Sequence, residues 1–478
     1  MKRLFLVEPV VALYAFATFL YYPLVQQYAY RRIWLQVTNT TYLSSDNTSR
    51  CVANSNSSNQ SHYNEEVQRQ TSLFSVYTNI LSTVPSLVVT LILVTYSDQG
   101  GRKIAIIMPM IGTLIYTLSL LTVSYFELSI YLLFGSSILS ALCGGMGTFL
   151  GGCFAYIADL CEDDRQKTYR MAGLEMMIGL LSGLAALSSG YFLRTVGFNW
   201  PFLTSSLMLV LILLYAIFVL EETVKKAPTS AVTLDGSPWY LGMKQMLRGV
   251  CQMLAGASCR WKTVLALLII IFTCVSFVYV GGMSVITLYE LSEPLCWTEI
   301  LIGYGSALTT TVFLTSFAGV SLFTYCGVPQ VLIVLLGILS VVSAMLTAAF
   351  AKTTLLMFIV RIPMLLSIMP FPVLRSMMSK IVPKSEQGAL FACLSFMESL
   401  SNNVSSIVFY SIYAATVAWC PAFVFLLSAG LCVIPLTALG MVSVIGVDVA
   451  TEVQRPKRFN SEEENPVQDQ SDHSPLLT

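Results

Sequence analysis

The sequence predicts an all-α polytopic membrane protein of twelve helices in two six-helix halves, and three observations predict it. Of 478 residues, 55% are hydrophobic and only 11% charged, roughly half the charged fraction of an ordinary soluble domain. Apolar runs of 18 or more residues recur along nearly the whole chain, and about 20 such residues cross roughly 30 Å of hydrocarbon. The runs are continuous rather than alternating, which selects helices over a barrel. The third observation is the longest internal polar segment, 221–262, which falls between the sixth and seventh runs. A six-plus-six duplication about a central linker is the organisation of a transporter with a site between two repeats.

The spans lie near 6–26, 73–96, 104–125, 130–157, 171–193 and 201–220, then 263–288, 300–325, 330–350, 354–378, 388–413 and 421–446. The organisation is therefore an N-terminal half at 1–220, a linker at 221–262, a second half at 263–446 and a disordered tail at 447–478. The first run is not expected to be a removable signal, since it is long, carries Glu8 and Pro9, and lacks a small-residue cleavage site before Arg31 and Arg32. In the linker, "EETVKKAPTSAVTLDGSP" reads as flexible chain. "WYLGMKQMLRGVCQML" sets Trp239, Met243, Met246, Leu247, Val250 and Leu254 on one helical face. That face fits a helix on the cytosolic leaflet or a short helix packed on the bundle.

Basic residues orient the chain. With both termini cytosolic, eighteen Lys and Arg fall in cytosolic segments and six on the other side, a positive-inside bias. The loop 27–72 is then luminal, and its four N-x-[ST] sequons at Asn39, Asn47, Asn56 and Asn59 read as glycosylation sites. Of twelve cysteines, three lie at or near that face: Cys51, Cys296 and Cys420. In an oxidising compartment the pair Cys51 and Cys296, from the first loop of each half, is the favoured disulfide, with Cys420 the alternative partner.

Charge inside a span is expensive, at least ~2.5–3.5 kcal/mol at the bilayer centre, and is a functional hypothesis by default. Four residues qualify: Glu175, Arg361, Arg375 and Glu398. Glu175 shares a helical face with Gly179, Ser182 or Gly183, Ala186, and Ser189 or Gly190, a small face that lets a helix or substrate approach. It reads as a proton-carrying carboxylate or a salt-bridged structural one. Glu398 sits on a polar stripe with Ser395, Ser401, Asn402 and Ser405. Arg375 follows Pro370 and Pro372, which interrupt backbone hydrogen bonding and suggest a broken helix at a cavity. Its guanidinium suits a substrate carboxylate or sulfate. Arg361, nearer the other end, is a second candidate with the stronger structural reading.

The two histidines, His62 and His473, lie outside the spans, so a coupled proton must ride on carboxylates. No phosphate-binding loop, metal-site motif or nucleophile–base–acid arrangement is present, so an enzyme, a metal site and nucleic-acid binding are not expected. The tail "DHSPLLT" has Asp472, three intervening residues, then Leu476 and Leu477, the acidic dileucine pattern read by clathrin adaptors.

Between the second and third spans "YSDQGGRK" resembles the D-x-x-G-R-K core of the major facilitator signature, giving Asp98, Gly101, Arg102 and Lys103; Val94 replaces its leading glycine. Longer stretches, "ITLYELSEPLCW" at 286–297 and "VLRSMMSKIVPKSEQGALFAC" at 373–393 among them, are similar to solute carrier family forty-six, which holds the proton-coupled folate transporter. "YRRIW" at 30–34 and "FACLSFMESL" at 391–400 resemble most its lysosomal branch, symporters of steroid conjugates and bile acids. The resemblance implies a major facilitator fold with Asp98, Arg102 and Asp159 in a gating latch. It further implies Glu175 in proton coupling, Arg375 in substrate and proton binding, and a Cys51–Cys296 disulfide. The folate carrier's seventh-span histidine is Tyr279 here and its fourth-span arginine is Ser137, which disfavours folate and favours bulky amphipathic anions met by Tyr279, Arg361 and Arg375.

The expected function is proton-coupled export of organic anions from the lysosomal lumen to the cytosol by alternating access. No cofactor beyond the coupling proton is expected. The expected partners are the cargo anion, membrane lipid and a clathrin adaptor on the tail, with the chain a monomer or weak dimer. A folate-type or uncoupled carrier at the plasma membrane, and a non-transporting receptor or scaffold, are the alternatives.

Overall fold

The computed structural model describes residues 7–40, 58–160, 164–223, 259–382 and 387–454. Among the described residues there are helices and no strands. Ten helical stretches are long and apolar enough to cross a membrane by length and composition, and the chain is a multi-pass membrane protein.

The N-terminal helices are α1 (Glu8–Thr38), α2 (Ser58–Gly100), α3 (Arg102–Tyr125), α4 (Leu132–Ala141), α5 (Met146–Leu160), α6 (Asp164–Val196) and α7 (Asn199–Phe218). The C-terminal ones are α8 (Cys259–Leu291), α9 (Glu299–Tyr325), α10 (Gln330–Ala349), α11 (Thr354–Ile359), α12 (Arg361–Met364), α13 (Pro370–Ile381), α14 (Gln387–Thr416), α15 (Phe423–Leu431) and α16 (Val433–Gln454). The face where α1 begins is termed the N-terminal face and the opposite one the distal face.

Helix α1 has 31 residues, about 46 Å at 1.5 Å per residue, so it outruns the hydrocarbon. Hydropathy alone ends it near residue 26. The helix continues because Tyr28, Tyr30 and Ile33 still find a core to pack into. Helix α2, 43 residues long, likewise starts well before its apolar stretch.

Two spans are broken, and the sequence explains both. Between α4 and α5 the chain turns through Gly144 at φ +91°, a conformation that disfavours any side chain. The expected tenth span is three short helices, α11, α12 and α13, because Pro363, Pro370 and Pro372 withdraw donors and clash with the preceding turn. Neighbouring hydroxyls bond carbonyls along this break. Thr315 and Ser316 of α9 donate to the Leu365 carbonyl at 2.7 and 3.0 Å, and Ser340 of α10 donates to that of Pro363. The prolines therefore mark a seam packed on α9 and α10. The eleventh expected span, α14, is a 30-residue helix whose polar stripe keeps it outside the ten.

Helices α1, α3, α6 and α7 pack on one another, as do α8, α10, α14, α15 and α16. The two sets meet along α6 against α9 and α2 against α14. One apolar core runs through both sets toward the distal face, including Tyr28 and Phe202 with Leu288 and Tyr413. A second, around Tyr14, Phe149, Ile157 and Leu209, is confined to the N-terminal set near the N-terminal face.

Candidate transport site

A cavity of about 310 Å³ lies where the two sets meet. Its wall comes from Tyr21, Tyr22 and Gln26 of α1, Ser75, Asn79 and Ser82 of α2, and Tyr116 of α3. Ser137 and the Gly144–Gly145 break complete the N-terminal side; Asn403 and Tyr410 of α14 close the other. None of these wall residues carries a charge. The lining offers hydroxyls, amides and aromatic faces, the composition of a site for a largely apolar body with a few polar edges. Ser137 thus sits in the wall, whereas Tyr279 is half-buried against the C-terminal core and is not part of it.

Beside this cavity, the structure joins two residues that the sequence read apart. Arg375 on α13 donates from Nη2 to Oε2 of Glu398 on α14 at 2.5 Å. Both side chains stay about one-third exposed, 35% and 30%. The guanidinium also lies over the Phe272 ring of α8, 5.3 Å from its centroid. Glu398 precedes the wall residue Asn403 by five positions, about 7.5 Å along the helix. Between them Ser401 donates to the Thr273 carbonyl at 3.0 Å and Ser276 donates to Asn402 at 2.6 Å, fixing α14 to α8.

Arg361 is placed differently. It is 4% exposed, donates to Glu290, itself 1% exposed, and reaches the Met357 carbonyl at 2.8 Å under the Trp297 ring. A guanidinium so enclosed ties α12 to the end of α8 and is not open to cargo in this conformation. The helix α8 runs to Leu291, past the expected boundary at 288, so Glu290 belongs to the bundle rather than to a loop.

The distal face is closed by contacts between the two sets. Arg31 of α1 pairs with Glu299, the first residue of α9, while stacking 5.1 Å from the Phe198 ring. Gln26 donates to Tyr410, Tyr410 donates to the Ser284 carbonyl, and Tyr413 donates to Gln68 at 3.3 Å. The small face of α6 predicted beside Glu175 is the one that meets α9. A side chain at Gly190 would reach to 2.7 Å of the Glu299 carbonyl, one at Gly183 to 2.7 Å of Thr310 and one at Gly179 to 2.9 Å of Phe313. Glu175 itself lies one turn before Gly179; its side chain is outside the described residues.

At the N-terminal face the signature loop is assembled around Arg102. Its Nε donates to Asp159 at 2.9 Å, and Thr223 donates to the same carboxylate oxygen at 3.2 Å. Glu222, which the sequence reading passed over, accepts from the backbone N–H groups of Arg102 and Lys103 at 2.7 and 3.3 Å. A carboxylate there meets the orphan donors and positive end of α3. Gly101 has φ +122°, and any Cβ on it would strike that carboxylate, so the motif's glycine is required twice. The Asp98 side chain lies outside the described residues. Glu8 accepts from Arg170 at 3.0 Å, joining α1 to α6. Arg170 and Glu299 escaped notice because each sits just beyond an apolar window.

Asn39 is exposed at the C-terminus of α1, and Cys296 is disulfide-bonded while Cys420 is free. Cys51, Asn47 and Asn56 lie outside the described residues, as do Asp472, Leu476, Leu477 and residues 224–258 of the linker; Asn59 is the second residue of α2, its side chain likewise undescribed.

Residues 15–324 match the Major Facilitator Superfamily. The chain is 47% identical over 445 residues to the lysosomal proton-coupled steroid conjugate and bile acid symporter of Gallus gallus, covering 92% of this chain and 94% of that one. The Homo sapiens protein of the same name is 43% identical over 442 residues, covering 92% and 95%. The proton-coupled folate transporter of Rattus norvegicus is 34% identical over 440 residues, covering 91% of each. Among solved structures, the human organic anion transporter MFSD10 (TETRAN) superposes with a TM-score of 0.61 at 14% identity over 92% of this chain and 99% of that one. A POT family transporter in complex with 5-aminolevulinic acid gives 0.61 at 13% identity over 92% and 96%. Those two likenesses concern the fold.

Proposed function

Because the chain belongs to the major facilitator superfamily, and within it to solute carrier family forty-six with the symporters and folate transporters just described, we propose that it is a proton-coupled symporter of organic anions. Its cargo class is that of its relatives' names, steroid conjugates and bile acids, and its direction is from the lysosomal lumen to the cytosol. The observation that carries this reading is the Arg375–Glu398 pair beside an uncharged, aromatic-rich cavity between the two helix sets. The cavity suits an apolar ring body, and the guanidinium suits the carboxylate or sulfate that such a body carries. Tyr279 and Arg361 lie outside the wall in this conformation, Tyr279 against the C-terminal core and Arg361 on Glu290.

In the proposed cycle the distal face is luminal. Opening it requires parting Arg31 from Glu299 and lifting α9 off the glycines of α6. Cargo enters from an acidic lumen, a proton loads Glu175 or Glu398, and the two sets rock about the cavity to the state seen here, closed at the distal face. Asp98, Arg102 and Asp159 are the proposed latch of the N-terminal face, and the Arg102–Asp159 pair and the Glu222 contacts are in place in this state as well. Each pH unit across the membrane supplies ~1.36 kcal/mol per proton.

Cys51 is the proposed partner of Cys296, and Asn39, Asn47, Asn56 and Asn59 are the proposed glycan sites of that luminal loop. Asp472 with Leu476 and Leu477 is the proposed adaptor signal that delivers the protein to lysosomes, both termini being cytosolic. The decisive experiment retains the protein at the plasma membrane with Leu476→Ala and Leu477→Ala and measures uptake of a sulfated steroid at pH ~5.5 and ~7.4, a drive of ~2.6 kcal/mol per proton. Uptake stimulated several-fold by acid supports symport. Equal uptake at both values leaves an uncoupled carrier, and no uptake with retained partner binding leaves a receptor.

A further inference from the structure

From the Arg375 guanidinium, held by Glu398 and still about one-third exposed, we infer that Arg375 and Glu398 form an exchange site that makes symport of a monoanion electroneutral. The inference rests on the symport reading and specifies its stoichiometry. In the empty state Arg375 is held by Glu398, so the pair has no net charge. A cargo carboxylate or sulfate can take that guanidinium only if Glu398 gives it up. An ionised Glu398 left beside the incoming anion would put two negative charges on one cation at contact distance, where like charges repel. A proton arriving on Oε2 of Glu398 removes that conflict. The carboxyl becomes neutral, its ion pair to Nη2 is lost, and the cargo oxygens accept the freed N–H groups.

The charge balance follows directly. Empty, the site holds Arg⁺ and Glu⁻; loaded, it holds Arg⁺, cargo⁻ and a neutral Glu398. Both sums are zero, so the carrier crosses the membrane with the same charge either way. One proton accompanies each anionic group seated on Arg375, and a monoanion moves without net charge.

Among the described residues, no second cation contacts Glu398. On α8 the facing stretch from Phe272 to Ser276 offers the half-buried Cys274 and no charge. Helix α15 has no ionisable side chain but its C-terminal neighbour Cys432, and α14 itself contributes Cys393 and Tyr410. On α13 the other cation, Lys380, donates to Gln330 at 2.9 Å. On α2 the described charges, Glu65, Glu66 and Arg69, stand at the distal end, and the Asp98 side chain is outside the described residues. Helix α5, whose Gly147 approaches Ser399, has its one charge, Asp159, at the N-terminal face on Arg102.

The test uses the full chain in proteoliposomes, with a steroid monosulfate and a steroid disulfate as probes. With an acidic exterior and a potential set by potassium and valinomycin, monosulfate uptake is expected to be the same, within twofold, at either sign of potential. Disulfate uptake is expected to change several-fold. In Glu398→Gln, which is permanently neutral, the KM for monosulfate at pH ~7.4 is expected to fall to the acid value of the wild type. Exchange of labelled for unlabelled cargo persists, while uphill accumulation is lost. Since the protonated fraction changes up to about tenfold per pH unit, the wild-type KM difference over two units reaches up to about 100-fold. A potential-dependent monosulfate flux in the wild type overturns the inference, and so does a Glu398→Gln protein that keeps the wild-type pH dependence of KM. The wild-type flux measurement stands whether or not the variant folds. A wild type indifferent to acid would instead reject symport itself, a result distinct from either of these.

Discussion

Gly190→Leu should drive the distal face open. At Gly190 a Cβ would sit 2.7 Å from the carbonyl oxygen of Glu299 and 3.2 Å from Cα of Ile300, both backbone atoms that cannot swing aside. An ordinary contact needs about 3.4 Å or more, so the overlap is roughly 0.7 Å before the rest of the leucine is placed, and overpacking of this kind costs about 1–3 kcal/mol. The strain exists only while α6 and α9 are closed on each other. It therefore destabilises the closed state and leaves the distal-open state untouched. Converted to populations, 1–3 kcal/mol raises the open-to-closed ratio by about 5- to 150-fold. The assay follows the labelling rate of Thr310→Cys, a position 8% exposed in the closed state, by an impermeant thiol reagent added from the distal side in a Cys420→Ala background. Gly151→Leu, with open space around its Cβ position, controls for the substitution itself. Labelling should accelerate in Gly190→Leu and not in Gly151→Leu. Equal rates in all three proteins would refute the reasoning that the α6–α9 seam is the distal gate.

Three further outcomes follow from particular contacts. Gly101→Ala, which forces a side chain to φ +122° against Glu222, should destabilise the signature cluster by about 1–3 kcal/mol and lower uptake; thermal unfolding and transport rate report it. Arg361→Met should cost about 3–5 kcal/mol by stranding buried Glu290, whereas Arg361→Met with Glu290→Leu should recover most of that loss, read as the melting temperature of the purified protein. Thr315→Val with Ser316→Ala removes both donors from the Leu365 carbonyl and should cost about 1–3 kcal/mol, with the melting temperature falling more than for Thr311→Val on the same helix.

How much of this was legible in the sequence depends on what each feature rests on. Membrane helices are read from apolar length, so their positions were plain, while their ends were not. Helix α1 runs past its apolar window because Tyr28 and Ile33 find a tertiary core, which no window detects. The proline break before Arg375 was visible, since proline acts locally. That its carbonyls are bonded by Thr315, Ser316 and Ser340, from helices distant in sequence, was not. Arg375 and Glu398 were each picked out as costly charges, but 23 residues of separation do not say that they touch. Glu290 and Glu299 were hidden because a hydropathy boundary stops at the first charge, which made two interior carboxylates resemble loop residues. The small face of α6 was read correctly as a close-approach surface, and its partner, α9, needed the structure. The cavity wall was the least legible part, because scattered serines, asparagines and tyrosines on α1, α2 and α3 leave no periodic signal strong enough to separate a wall from ordinary helix packing.

The central claim is that an anion and a proton move together. Its most direct measurement is cargo-evoked proton flux: proteoliposomes with equal pH on both sides, a pH-sensitive dye inside, and a steroid sulfate added outside. The account predicts that the interior acidifies as cargo enters, with Glu398→Gln abolishing the acidification while labelled cargo still exchanges. Cargo entry in the wild type with an unchanged interior pH would contradict it.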